Sequence, residues 1–334
     1  MQIANLSGRK VFITGADGFI GSHLTEMCVR AGADVTALSC YSSFDSDGWL
    51  DDLPADVRAA LRVVRGDIRD GDQMRGEIRG QEVVFHLAAL IAIPFSYHAP
   101  STYVQTNVQG TVNVLMAARE AGCARVVHTS TSETYGTAQV RPIPESHPLV
   151  GQSPYSASKI AADKMAESMF LSFGVPVVTL RPFNTYGPRQ SQRAVIPTVI
   201  RQAVDPACAD IRVGELSPER DWTYVEDTAR AFLCAAGAGA EPGQVYNAGT
   251  GHTVTVGSMV EDVLSLTGCG KAVVCEQERV RPANSEVRAL QADFSRFQAA
   301  TGWHPTTSLR DGLAKTIDWW RGRPLAQMSR GYRI

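Results

Sequence analysis

The chain has 334 residues, 44% of them apolar, which supports a full core in one large or two moderate domains and excludes disorder. Its 32 Lys and Arg against 34 Asp and Glu leave a formal charge of −2, so neither a nucleic acid nor an anionic membrane surface has an electrostatic partner here. The seven cysteines form no Cys-x-x-Cys pair, no charged-then-apolar leader opens the chain and no apolar run reaches the ~18–20 residues of a membrane span; a soluble cytoplasmic protein with buried free thiols is expected.

Residues 10–14 form a short apolar run that ends in Gly15-Ala-Asp-Gly18-Phe-Ile-Gly21, and Phe19, Ile20, Leu24, Met27 and Cys28 follow at helical spacing. A strand, a glycine turn and a helix let backbone approach a pyrophosphate and aim helix N–H groups at it. The spacing is Gly-x-x-Gly-x-x-Gly, in place of the Gly-x-Gly-x-x-Gly of ordinary Rossmann dehydrogenases. Further strands are expected at 34–39, 61–66, 82–87, 125–130 and 175–181, with helices over 100–121 and 154–173. This alternation predicts an α/β fold, a Rossmann-like doubly wound parallel sheet, with its ligand beyond the carboxyl ends of the strands. After Pro188 the alternation loosens. Helices near 196–203, 226–238, 258–267, 293–301 and 309–321 and strands near 211–213 and 272–275 read as a smaller C-terminal α/β lobe over the substrate. The expected division is a dinucleotide-binding domain over 1–187, with a return segment near 226–250, and a substrate lobe from 188–225 and 251–326. Residues 327–334 read as a loose tail.

Two stretches carry chemistry. In Ser153-Pro-Tyr155-Ser-Ala-Ser-Lys159, Tyr155 and Lys159 stand four residues apart, one helical turn on the same face. An ammonium beside a phenol favours the phenolate against a reference pKa of roughly 10, which suits removal of a hydroxyl proton while hydride leaves the carbon. The fifth expected strand runs into Thr129-Ser-Thr131-Ser132-Glu133-Thr-Tyr135-Gly136, where Thr131 can hydrogen-bond a substrate hydroxyl and Glu133 can act as a base. The seven histidines show no His-x-x-x-His spacing, so no metal is expected.

TGADGFIG, the GDI turn at 66–68, HLAAL at 86–90, TNVQGTVNVL, STSETYG, SPYSASK, RPFNTYGPR at 181–189, RDWTYVEDTARAF at 220–232 and ERVRPANSEV at 278–287 occur in that order. Together they resemble the extended short-chain dehydrogenase/reductase superfamily in its nucleotide-sugar-modifying branch. Thr131-Ser132-Glu133 is similar to the triplet of GDP-mannose 4,6-dehydratases, and UDP-glucuronate decarboxylases share it; LIAIPFSYHAP, GQSPYSASK and RPFNTYGPRQSQRAVIP are similar to GDP-N-acetylglucosamine 4,6-dehydratases. The resemblance implies that Gly15, Gly18, Phe19, Ile20 and Gly21 hold the cofactor pyrophosphate and that Asp67 and Ile68 meet the adenine. It implies that Leu87, Ala88, Ala89 and Pro182 line the cofactor channel and that Lys159 reaches the nicotinamide ribose. Asn107 falls on the cofactor side as a structural or relay residue. For the nucleotide-diphosphate sugar it implies Asn184, Arg193, Arg220 and Arg281, and for catalysis Tyr155, Lys159, Thr131, Glu133 and Ser132. Helices 100–121 and 154–173, through Val108, Val112, Leu115, Ala161, Met165 and Met169, would pair two chains in a four-helix bundle.

Residues 39–42 lack the acidic residue that grips the ribose of NAD at the end of the second strand. No arginine follows until Arg58, and Asp45 and Asp47 would repel a 2′-phosphate, so the reading favours NAD over NADP. The reaction that fits is a 4,6-dehydration through transient oxidation at carbon 4, with 4-epimerisation as the alternative and decarboxylation third.

Overall fold

The computed structural model describes residues 1–279, 282 and 285–324. Six strands, β1 (Lys10–Thr14), β2 (Asp34–Cys40), β3 (Leu61–Gly66), β4 (Val83–His86), β5 (Arg125–Thr129) and β6 (Val177–Pro182), and a seventh at Val245–Ala248 build one sheet. The order is Val245–Ala248, β6, β5, β4, β1, β2, β3, and every pairing is parallel. The strand order reverses between β1 and β4, where a crevice opens beyond the carboxyl ends.

The apolar runs reflect burial on both faces. Along β1, Val11 and Ile13 join one core with Leu24, Cys28, Phe232 and Trp303, while Phe12 joins the other with Met74, Val114, Leu115, Ala166 and Met169. Successive side chains thus serve opposite layers of helices. The helix Val225–Ala235 returns to the first layer and Val245–Ala248 adds the last strand beside β6. A third core gathers the helices Val195–Val204, Val256–Thr267 and Leu309–Arg321 around Ile200, Met259, Val263, Leu313 and Trp320.

The expected strands and main helices are present, with one change of kind. The stretch read as a single helix over 100–121 is Pro100–Tyr103, then a π-helical turn at Val104–Gln109, then a helix at Gly110–Glu120. The wide turn brings Asn107 into the interior, and Thr111 donates to the Asn107 carbonyl at 2.6 Å. Short helices at Ala55–Ala59, Gly71–Ile78 and Ile93–His98 were not expected, nor was the strand Val245–Ala248. Of the seven free cysteines only Cys28, Cys123 and Cys234 are buried; Cys40 and Cys275 are exposed, which corrects the expectation of buried thiols throughout. Among the described residues no helix is long and apolar enough to cross a membrane.

Candidate active site

The glycine turn is shaped by what lies against it. Gly15 takes φ +67°, and a Cβ there would stand 2.7 Å from the Ala88 nitrogen, so the turn presses against the backbone that follows β4. A Cβ on Gly21 would run into the Gly15 carbonyl. Gly18 opens the helix Phe19–Arg30 with no side-chain cap and no acidic residue in its first turn. The first-turn N–H groups, including those of Phe19, Ile20 and Gly21, therefore point out of the helix end with the positive end of its dipole. A bare cradle of this kind fits a pyrophosphate.

Beyond it, Leu87 and Ala88 N–H both donate to Thr14 Oγ1 at 3.1 Å, which fixes the start of the segment 87–89 against β1. Leu87, Ala88 and Ala89 are half-buried there, and Pro182, at the end of β6, is buried. Asn107 accepts from Leu90 N–H at 2.8 Å and donates to the Leu90 carbonyl and to Ser158 Oγ, both at 2.9 Å. Its amide is thus committed to tying this loop to the helix Pro154–Phe173.

At the end of β2 the structure supplies an acid that the sequence reading missed. The Asp17 carboxylate, from inside the glycine turn, accepts the Cys40 N–H at 3.1 Å, and burial raises its pKa. Asp47 is buried between Arg58 (2.7 Å) and Arg65 (2.8 Å), so both arginines are already paired. Asp67 holds Arg69 at 2.9 Å, and that guanidinium lowers its pKa. Ile68 turns its side chain into the core, close under Gly110, and its carbonyl accepts from Asn113 Nδ2 at 2.9 Å.

The helix Pro154–Phe173 starts as its sequence dictates. Ser153 and Ser156 form a reciprocal capping box, Pro154 occupies the first turn and Gly174 closes the helix with a left-handed φ of +69°. Tyr155 is therefore held in the first turn, 7% exposed, with its ring edge-on to Tyr103 at 6.3 Å between centroids. Tyr103 is anchored by donating to the Ala92 carbonyl at 2.6 Å.

The strand β5 delivers its turn to the same point. Thr131 caps the turn Ser132–Tyr135, its Oγ1 accepting the Glu133 N–H at 3.2 Å, and its side chain hydrogen-bonds Tyr155. Ser132 is buried beneath this turn and Glu133 is half-buried. Tyr155, Thr131, Glu133 and Lys159 are brought together, but the electrostatics differ from expectation. Burial raises the Tyr155 phenol pKa, Thr131 partly offsets this, and the Glu133 charge raises it further. Lys159 directs its ammonium to the Thr129 carbonyl at 2.6 Å, and burial draws its pKa down to about 8 against the pull of Asp163. In the protein alone burial and the neighbouring Glu133 charge thus favour the neutral phenol, and Lys159 is bonded elsewhere.

Asn184, at the start of the strand Asn184–Tyr186, carries a buried Oδ1 with no hydrogen-bond partner among the described residues. The exposed Arg193 guanidinium has no ion-pair partner among the described residues, and its charge is felt at Tyr103. Arg220 departs from expectation. It is 6% exposed and donates to Glu286 at 2.7 Å and to the Glu219 carbonyl at 3.0 Å, so it is paired within the protein. Arg281 lies outside the described residues, as does the stretch 327–334.

The model of the family described as GDP-mannose 4,6 dehydratase matches residues 12–316. The chain is 32% identical over 318 residues to a dTDP-glucose 4,6-dehydratase of an Actinoplanes species, covering 93% of this chain and 98% of that protein. It is 32% identical over 320 residues to a UDP-glucose 4-epimerase of Mycolicibacterium smegmatis, covering 94% and 99%. Among solved structures, the dTDP-glucose 4,6-dehydratase DesIV of Streptomyces venezuelae, crystallised with NAD bound, superposes with a TM-score of 0.83 at 31% identity, over 93% of this chain and 96% of that one.

Proposed function

The chain belongs to the GDP-mannose 4,6-dehydratase family within the extended short-chain dehydrogenases/reductases and is a nucleotide-sugar dehydratase or epimerase; we propose that its reaction is an NAD-dependent 4,6-dehydration giving a 4-keto-6-deoxy sugar nucleotide. The observation that carries this reading is the Glu133 carboxylate, set by the Thr131 cap close enough to Tyr155 for its charge to raise the phenol pKa. Epimerisation by turning a ketone over has no use for a base at that place.

NAD supplies a reversible hydride acceptor. The uncapped start of Phe19–Arg30 with Gly15, Gly18 and Gly21 would hold its pyrophosphate, Asp17 its ribose, and Asp67 with the Ile68 backbone its adenine. The pairing of Arg58 and Arg65 with Asp47 leaves neither guanidinium waiting for a 2′-phosphate, which favours NAD over NADP. Tyr155 takes the proton of the sugar 4-hydroxyl, whose oxygen Thr131 holds. Because burial favours the neutral phenol, its ionisation has to be drawn by positive charge in the bound complex, Lys159 foremost. The 4-ketone acidifies the hydrogen on carbon 5, Glu133 removes it, and Ser132 or Glu133 protonates the departing 6-hydroxyl; return of the hydride to carbon 6 and of a proton to carbon 5 would then give the 4-keto-6-deoxy product with no net change in the dinucleotide. Asn184 and Arg193 grip the diphosphate. In this reading residues 1–187 with 226–250 serve the cofactor, and 188–225 with 251–326 the sugar nucleotide.

A panel of nucleotide hexoses followed by mass spectrometry decides between the reactions. A product lighter by one water, with solvent isotope at carbon 5, is expected. An isomer of unchanged mass without that isotope would assign the enzyme to the 4-epimerases. A homodimer through the helices Gly110–Glu120 and Pro154–Phe173 accompanies this reading. Leu115 and Met169 are spent on the protein's own core, which leaves half-buried Val108, Val112, Ala161 and Met165 for the partner. Light scattering that finds only monomer would rule it out.

A further inference from the structure

One helical turn beyond Lys159, on the same face, the helix carries Asp163, 4% exposed. Its Oδ2 accepts from Ser130 Oγ at 2.7 Å and from Arg181 Nη2 at 2.9 Å and Nε at 3.2 Å, and Oδ1 meets His128 Nε2 at 3.2 Å. His128 and Ser130 flank Thr129, whose carbonyl receives the Lys159 ammonium. One carboxylate thus grips both neighbours of the atom that holds the lysine. The network continues: Arg181 Nη1 donates to Tyr135 OH at 3.0 Å, and Tyr135 donates to Asn247 Oδ1 at 2.7 Å. Tyr135 ends the turn that carries Glu133.

Resting on the reading of Tyr155 and Lys159 as the catalytic pair, we propose that Asp163 is a positioning residue: it fixes the Thr129 carbonyl beneath Lys159 and supplies the charge that keeps the buried ammonium protonated. Four other titratable groups stand around this pair. His86 on β4 and His128 on β5 stack at 5.7 Å and are held neutral by burial, so neither opposes the ammonium. Tyr155 lies on the same helix, and Arg181 on β6 is bonded to Asp163 from the far side. Asp163 is therefore the anion that both cations share. Burial alone would favour the free amine, and the carboxylate opposes it.

The test follows the Lys159 titration in the full-length protein, by NMR of 13C-labelled lysine assigned with Lys159→Arg, together with the pH profile of turnover. In Asp163→Asn the Lys159 midpoint is expected to fall by about one unit or more, and the alkaline limb of turnover with it. Arg181→Gln frees the carboxylate for the lysine, so the midpoint should stay or rise. A merely structural role would move both variants in one direction or neither. Should Asp163→Asn fail to fold, Asp163→Asn with Arg181→Gln removes both buried charges and should still lower the midpoint. An unmoved midpoint in the folded variant overturns the proposal. Tyr155→Phe with undiminished turnover would instead overturn the reading on which it rests, so the two failures are distinguishable.

Discussion

At the glycine turn, the first-turn N–H groups of Phe19–Arg30 have no side-chain cap, and Gly15 lies so close to the Ala88 backbone that a Cβ would clash with it. At the far end of the same crevice, Lys159, Thr131 and Asp163 all have partners within the chain. The first region is a surface whose hydrogen bonds await a ligand. The second is a set of side chains whose mutual bonds fix geometry before any ligand arrives. Substitutions at the first should therefore damage binding and spare chemistry, and those at the second should do the reverse.

Tyr155→Phe is the largest expected effect. Turnover should fall by roughly 10³-fold, in the range for loss of a general base, while dinucleotide still co-purifies by absorbance. Lost dinucleotide would break the division between the two regions. Glu133→Gln should cost about 10²–10³-fold in release of dehydrated product. Oxidation at carbon 4 should survive it, so an absorbance rise from reduced dinucleotide on adding substrate separates this variant from Tyr155→Phe. Gly15→Ala puts a side chain at φ +67° against the Ala88 backbone. A loss of about 1–3 kcal/mol in stability, seen as a lower Tm, and a dinucleotide Kd raised roughly tenfold are expected, with kcat at saturation little changed. The smallest effect is on pH. Lys159 loses its proton as pH rises through about 8, so kcat should hold below that value and decline above it. A flat profile to pH 10 would show that the ammonium charge is not needed.

The sheet was legible because a buried parallel strand has to be apolar on both faces. Val11, Phe12 and Ile13 announce β1, and Ser153-Pro154 with Gly174 marks both ends of the catalytic helix to the residue. Tyr155, Lys159, Thr131 and Glu133 were singled out by their spacing together with the ordered motifs around them. The short strand Val245–Ala248 was not, because four residues give periodicity too little length, and the π turn at Val104–Gln109 was hidden within a good helical pattern. Asp17 reaches the end of β2 from the glycine turn, across a distance in sequence that no local pattern records.

The sequence by itself determined which residues could do chemistry: the phenol, the amine and the carboxylate at fixed offsets on a turn and a helix, and glycines where backbone must come close. Only the tertiary structure decided how those groups are charged and what they hold. Lys159 turns to the Thr129 carbonyl, Arg220 is taken by Glu286, and Asn107 is committed to Leu90 and Ser158. The physical reason is that covalent spacing sets reach along one element, whereas protonation and hydrogen bonding depend on burial and on partners from other strands.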